Sequence, residues 1–129
     1  MDFNLDAQLV ELCDRVAAFV RDEVIPVESR VGETISDDVV NALREKARAA
    51  GIYGPQLPPE YGGMGLGTVA MCVLFEQAGR SFLGPLAMHC SAPDEGNMHL
   101  LSLFATEEQK AQYLAPLVSG NIRSCFAMT

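Results

Sequence analysis

Apolar residues recur at helical spacing along most of this chain. Leu5, Leu9, Leu12, Val16, Phe19 and Val24 share one face of a helix, with Asp14, Arg15, Arg21 and Asp22 between them. Asn4 or Asp6 is placed to cap that helix, and Pro26 ends or kinks it. Glu33-Thr34-Ile35 reads as a link. Ser36 then suits the N-cap of a second helix, with Asp37 and Asp38 in the first turn where carboxylates meet the positive end of the dipole. Its expected buried stripe is Val39, Leu43, Ala47 and Ala50, and Gly51 stops it. Arg44, Lys46 and Arg48, interleaved with Glu45, read as its solvated face.

Further on, Thr68 suits a cap for a third helix. Val69 to Phe75 and Ala78 are apolar almost all round, which predicts burial on most sides, with Glu76 finding a partner or reaching the surface. Leu83 to Cys90 is apolar again, and Gly84-Pro85 suits a turn followed by a helix start. Ala92-Pro93-Asp94-Glu95-Gly96 reads as an interruption before helical spacing resumes from Asn97 through Met98, Leu101 and Phe104. Thr106-Glu107-Glu108-Gln109 is a capping box. The helix it opens is expected to bury Tyr113, Leu114 and Leu117, to be disturbed by Pro116 and to stop at Ser119-Gly120-Asn121. Ile122 to Thr129 alternates only in part, and Cys125-Phe126-Ala127-Met128 has the look of a strand entering another layer. An apolar strand left unpaired exposes backbone groups, so the chain is expected to continue past this strand.

The stretch Pro58 to Gly67 separates these helices. Two prolines remove backbone donors, and Gly62, Gly63, Gly65 and Gly67 allow conformations and close approaches that other residues resist. It suits either a surface connection between helical hairpins or a wall of a ligand site, and the residues leave both open. The pattern as a whole predicts an all-α fold, an up-and-down helical bundle of about five to six helices over residues 1–121. Residues 122–129 would be a strand that belongs to another layer.

Composition narrows the functions. The 129 residues carry a net charge of −8, which argues against nucleic acid, because phosphate binding needs clustered Lys and Arg. A hydrophobic share of 49% and a positive mean hydropathy exceed what a small core needs and suggest apolar surface meant for another domain or subunit. No apolar run reaches the length of a membrane span, and Met1-Asp2-Phe3-Asn4 lacks the basic start of a signal peptide. Cys13, Cys72, Cys90 and Cys125 are scattered and form no CxxC pair, which fits a reducing, cytoplasmic setting without zinc or a disulfide framework. His89, Asp94, Glu95 and His99 are the one cluster of metal-ligand types, at a spacing that matches no zinc pattern. Gly62-Gly63-Met64-Gly65-Leu66-Gly67 lacks the preceding strand and the Lys-Ser/Thr of a phosphate-binding P-loop, and no nucleophile motif is visible.

Several strings, in one order along nearly the whole chain, resemble the N-terminal helical domain of the acyl-CoA dehydrogenase family. They are Val24-Ile25-Pro26-Val27-Glu28, the loop Leu57 to Gly67, and Phe75-Glu76-Gln77-Ala78-Gly79-Arg80-Ser81. Thr106 to Lys110 with Tyr113-Leu114, and Phe126-Ala127-Met128-Thr129, complete the set. Ala92-Pro93-Asp94-Glu95-Gly96-Asn97-Met98 looks like the branch whose larger members carry an extra kinase-like domain. The resemblance implies a subunit with this helical domain, a middle β-domain and a C-terminal four-helix bundle. It implies FAD between the domains and an acyl-CoA thioester against the flavin, oxidised by loss of an α-proton to a carboxylate and of a β-hydrogen as hydride to the flavin. Phe126 and Met128 would lie along the flavin ring and Thr129 would offer its hydroxyl or amide to it, while Met88 and Ala92, on a helix from Leu86 to Ala92, would line the acyl pocket. The catalytic base would lie in a later domain, so no catalytic residue is assigned here, neither Glu76 nor Glu60, and the chain alone is expected to be inactive. By the same analogy the partners would be an electron-transferring flavoprotein and further copies of the subunit, in a homodimer or homotetramer. A non-catalytic helical module that binds a partner subunit is the alternative.

Overall fold

The fold comes from a computed structural model that describes residues 4–30 and 35–127. The expected link residues Glu33 and Thr34, and the expected flavin contacts Met128 and Thr129, lie outside the described residues. Asp6 is the first cap: its carboxylate accepts the Leu9 N–H at 2.8 Å and starts α1 (Ala7–Phe19). The helix does not end at Pro26. It widens into a π-helical turn over Val20–Val24, in which the Ile25 N–H reaches the carbonyl of Val20, and continues as α2 (Ile25–Glu28). Widening the turn takes the proline ring away from the carbonyl one turn back, so the helix passes through a residue that ordinarily breaks it.

Ser36 caps α3 (Asp37–Ala49), accepting the Val39 N–H at 3.4 Å. The buried stripe is Val40, Leu43, Arg44 and Ala47, one position round from the expected one at its start, and it includes an arginine read from the sequence as solvated. Gly51, at φ +66°, turns the chain out of the helix. The glycine-rich loop folds back on Leu57: the Gly65 N–H donates to the Leu57 carbonyl at 2.8 Å, and a Cβ on Gly63 would fall 2.1 Å from that same oxygen. Only glycine fits such an approach of backbone to backbone.

Helix α4 (Thr68–Ala78) is preceded by Gly67 at the cap position rather than capped by the Thr68 hydroxyl. It is less buried than its composition predicts: Leu74 and Ala78 are inside, while Val69 is 70% exposed and Glu76 lies on the exposed side. The expected helix from Leu86 to Ala92 is instead α5 (Gly84–Ala87), after which His89 at φ 56° reverses the chain. Helix α6 (Asp94–Phe104) starts three residues before the expected Asn97, with Pro93 at its cap position and Gly96 inside it. Thr106 and Gln109 form the capping box in full and open α7 (Glu107–Gln109). A second π-helical turn, Lys110–Leu114, carries the chain through Pro116 into α8 (Ala115–Ser119), repeating the solution used at Pro26. Gly120, at φ +81°, ends it. Leu114 and Leu117 are buried as expected, but Tyr113 is 47% exposed.

Counted as continuous segments, the described residues form six helices, as the all-α expectation requires. They pack around two cores. The larger joins α1, α3, α4 and α5 through residues such as Val16, Leu43, Leu74, Leu83 and Met88. The smaller joins α6 and α8 through Met98, Leu114 and Leu117, and takes Leu57 from the edge of the glycine-rich loop. Residues 122–127 form no ladder, since no second strand lies among the described residues to pair with them.

Candidate functional site

The four carbonyls at the end of α8 meet four side chains from earlier in the chain. His89 Nε2–H donates to the Leu117 carbonyl at 2.8 Å, the Tyr53 hydroxyl to Val118 at 2.8 Å, Arg48 to Ser119 at 2.9 Å and Arg44 to Gly120 at 3.4 Å. The last carbonyls of a helix have no partner within it and carry the negative end of the dipole, so two guanidiniums and two neutral donors are suited to them. The donors support one another. The Tyr53 and His89 rings stack with centroids 5.2 Å apart, and the Arg48 guanidinium carbon lies 3.5 Å from the Tyr53 ring centre. Arg44 also donates to the Leu86 carbonyl at 3.3 Å.

This clasp sets the ionisation of its members. Burial, and then the positive charge of Arg44, push the His89 imidazole down to about 4, so it is neutral and carries its proton on Nε2, facing a carbonyl that can only accept. Burial raises Tyr53 above the usual phenol range. Burial likewise lifts the Cys90 thiol to about 12, which removes it as a nucleophile. His89 and Asp94 therefore serve the fold separately, and among the described residues no group of three His, Cys, Asp or Glu side chains is placed to hold a metal ion.

Beyond the clasp the chain runs along α6 towards Phe126. Buried Asp94 accepts both the backbone N–H and the hydroxyl of Ser124, at 2.8 and 2.7 Å. Beside this anchor lies an apolar groove of about 370 Å³, lined by Leu100, Leu101, Tyr113, Leu117, Ile122 and Cys125 among others. Phe126 is 56% exposed at the end of the anchored segment. Leu100, Tyr113 and Ile122, which line the groove, are exposed as well, and so are Leu103 and Phe104.

The sequence-derived candidates separate. Phe126 is exposed, two residues past the anchored Ser124. Met88 is fully buried in the larger core and its carbonyl accepts the Gly54 N–H at 2.8 Å, whereas Ala92 is exposed just before the cis bond to Pro93. The two do not share a helix, because the one expected to carry both stops at Ala87. A separate recess of about 400 Å³ lies where the glycine-rich loop meets Arg48 and Tyr53. Sequence reasoning missed the clasp and the Asp94 anchor. Asp94 and Asn97 are spaced to share a helical face, but that signal depends on the helix beginning before Gly96.

Comparison with known proteins agrees with this architecture. The family model described as "Acyl-CoA dehydrogenase, N-terminal domain" matches residues 6–121. The chain is similar to acyl-CoA dehydrogenase family member 10 of Mus musculus, 39% identical over 138 residues, which cover 98% of this chain and 13% of that protein. It is similar to acyl-CoA dehydrogenase family member 11 of Pongo abelii, 36% identical over 130 residues, covering 92% of this chain and 16% of that protein. The "Probable acyl-CoA dehydrogenase FadE2" of Mycobacterium tuberculosis (strain ATCC 25618 / H37Rv) is 33% identical over 139 residues, covering 100% of this chain and 33% of that protein. A solved structure, "Structure of a putative acyl-CoA dehydrogenase from Mycobacterium abscessus", superposes with a TM-score of 0.84 at 38% identity and covers 94% of this chain and 34% of its own. The chain thus spans about a third or less of the length of each of these relatives.

Proposed function

The chain belongs to the acyl-CoA dehydrogenase family, and from that premise we propose that it forms one wall of the flavin and acyl pocket in an FAD-dependent acyl-CoA dehydrogenase. The observation that carries this reading is Phe126: a large aromatic ring, more than half exposed, at the end of a segment anchored beside an apolar groove. A flat apolar surface of this kind suits one face of a tricyclic ring, so the residues present fit the cofactor as far as they reach. Bound FAD supplies the acceptor for the hydride lost from the acyl chain. The part of this chain is to hold Phe126 against the ring, to keep water from that side, and to continue through Met128 and Thr129 into the flavin-binding β-domain. Ala92 would face the acyl chain, with Met88 supporting its segment from the core beneath.

No carboxylate here is assigned as the base. Glu60 and Glu76 are both exposed, and the α-proton is assigned to a group in a later domain. Electron-transferring flavoprotein as acceptor, a homodimer or homotetramer, and a cytoplasmic setting belong to the same proposal. Among the described residues no helix is long and apolar enough to cross a membrane.

The test is to purify the protein that carries this chain from its source and record its visible spectrum before and after adding acyl-CoA thioesters of graded length. Flavin absorption that bleaches with one of them supports the reading. A protein with no flavin, tightly bound instead to a partner subunit, would favour the non-catalytic helical module, for which the exposed Leu103 and Phe104 are the supporting observation.

A further inference from the structure

In the string Asp94-Glu95-Gly96-Asn97, which anchors the segment leading to Phe126, three residues face that one short segment. The Asp94 carboxylate, buried at the start of α6, accepts two hydrogen bonds from Ser124 through a single oxygen. Asn97, three residues on and on the same helical face, donates from Nδ2 to the Ser124 hydroxyl oxygen at 2.8 Å. That hydroxyl is therefore donor to Asp94 and acceptor from Asn97, which leaves it one orientation. Gly96 faces Phe126: a Cβ at Gly96 would sit 3.4 Å from the Phe126 Cζ, at contact distance, so a longer side chain there would press on the ring. Hydrogen bonds to a carboxylate are stronger than neutral ones, and a buried carboxylate deprived of them has no water to turn to.

We infer that Asp94, Gly96 and Asn97 are positioning residues that act through Ser124 and the room left for Phe126 to set where the ring is presented. The consequence for flavin rests on the reading under Proposed function. Two hydrogen bonds to Ser124 place the backbone two residues before Phe126, and the absence of a side chain at Gly96 leaves the ring its room. The platform is rigid because it is part of a helix with Met98 in its core.

The test uses the intact protein purified from its source and three variants. Asp94→Ala removes the one oxygen that accepts both bonds, Asp94→Asn keeps an oxygen there without the charge, and Gly96→Val crowds Phe126 without touching a hydrogen bond. One readout is amide exchange in the peptide holding Ser124; the other is the visible spectrum and dissociation constant of the flavin. In Asp94→Ala the Ser124 amide should exchange roughly tenfold faster or more, with part of that protection regained in Asp94→Asn and none lost at Val16 or Leu74. Flavin should bind roughly tenfold more weakly, about 1.4 kcal/mol, and shift its spectrum in both Asp94→Ala and Gly96→Val. Unchanged exchange at Ser124 in Asp94→Ala overturns the inference. So does a flavin with unaltered spectrum and affinity in both variants while Ser124 loosens. If Asp94→Ala does not fold, Ser124→Ala and Gly96→Val decide in its place by the same flavin readout. A source protein without flavin sinks the flavin reading and the flavin half of this inference with it; Ser124 exchange then still decides whether Asp94 holds the segment.

Discussion

His89 shows how one residue can be tuned entirely by what it is buried against. Protonating it would place a cation among Arg44 and Arg48, in a site already closed to water. Its folded value of about 4 lies below the ordinary 6.5, so the unfolded chain binds the proton more readily. The stability it contributes is complete above pH 6.5 and is lost as the pH falls towards 4, to the extent of about 3 kcal/mol at most. Asn is the fitting replacement, because it tolerates the positive φ of 56° that this position requires. Denaturant unfolding of the wild type and His89→Asn across that pH range should show a shallower pH slope in the variant. Equal slopes would mean that His89 is protonated in the folded state after all.

At the level of elements, capping and helix widening explain why α7 and α8 form a single continuous rod. Thr106 accepts the Gln109 N–H at 3.3 Å and Gln109 accepts the Thr106 N–H at 2.9 Å, which satisfies two amides that the first turn would leave bare. Thr106→Ala removes one of the pair and should cost about 1 kcal/mol, read as a lower urea midpoint at unchanged slope. A loss below the error of the measurement would show that the exposed cap is replaced by water at no cost. Capping boxes are legible in a sequence because both partners are local, and this one was. The π-helical turns were not. A proline announces that something must give, but whether the helix stops or widens depends on what the residues beyond it can pack against. Beyond Pro116 that is Leu117 and Val118, both buried in the smaller core.

For the molecule as a whole, the clasp is the joint between two cores. The larger core holds α1, α3, α4 and α5, the smaller holds α6 and α8, and Arg44, Arg48, Tyr53 and His89, from α3 and the segments that follow α3 and α5, grip the end of α8. Tyr53→Phe removes the hydroxyl that donates to the Val118 carbonyl at almost constant shape. Leaving a buried acceptor unpaired should cost about 1–3 kcal/mol. Because the joint rather than either core is damaged, amide exchange should accelerate more in α6 and α8 than in α1 and α4. Uniform acceleration would mean that the two cores unfold as one cooperative unit and that the joint is not a boundary.

Local and tertiary information divide cleanly along this chain. Helical spacing, the Asp6, Ser36 and Thr106 caps and the glycine stops after α3 and α8 were legible because each depends on residues within one or two turns of each other. The family resemblance was legible for the same reason, as it is carried by short contiguous strings. The burial of Arg44 was not, since its acceptors are the carbonyls of Leu86 and Gly120, far along the chain. Nor was the start of α6 at Asp94, where local rules set Pro93 and Gly96 against a helix and the bonds from Asp94 to Ser124 hold its first turn in place. The face that meets the flavin in the proposed reading belongs to this second kind. Phe126 could be named from a string, but its place against Gly96 exists only once α6 and the last segment have been brought together, because a contact between residues thirty apart is a property of packing and not of spacing.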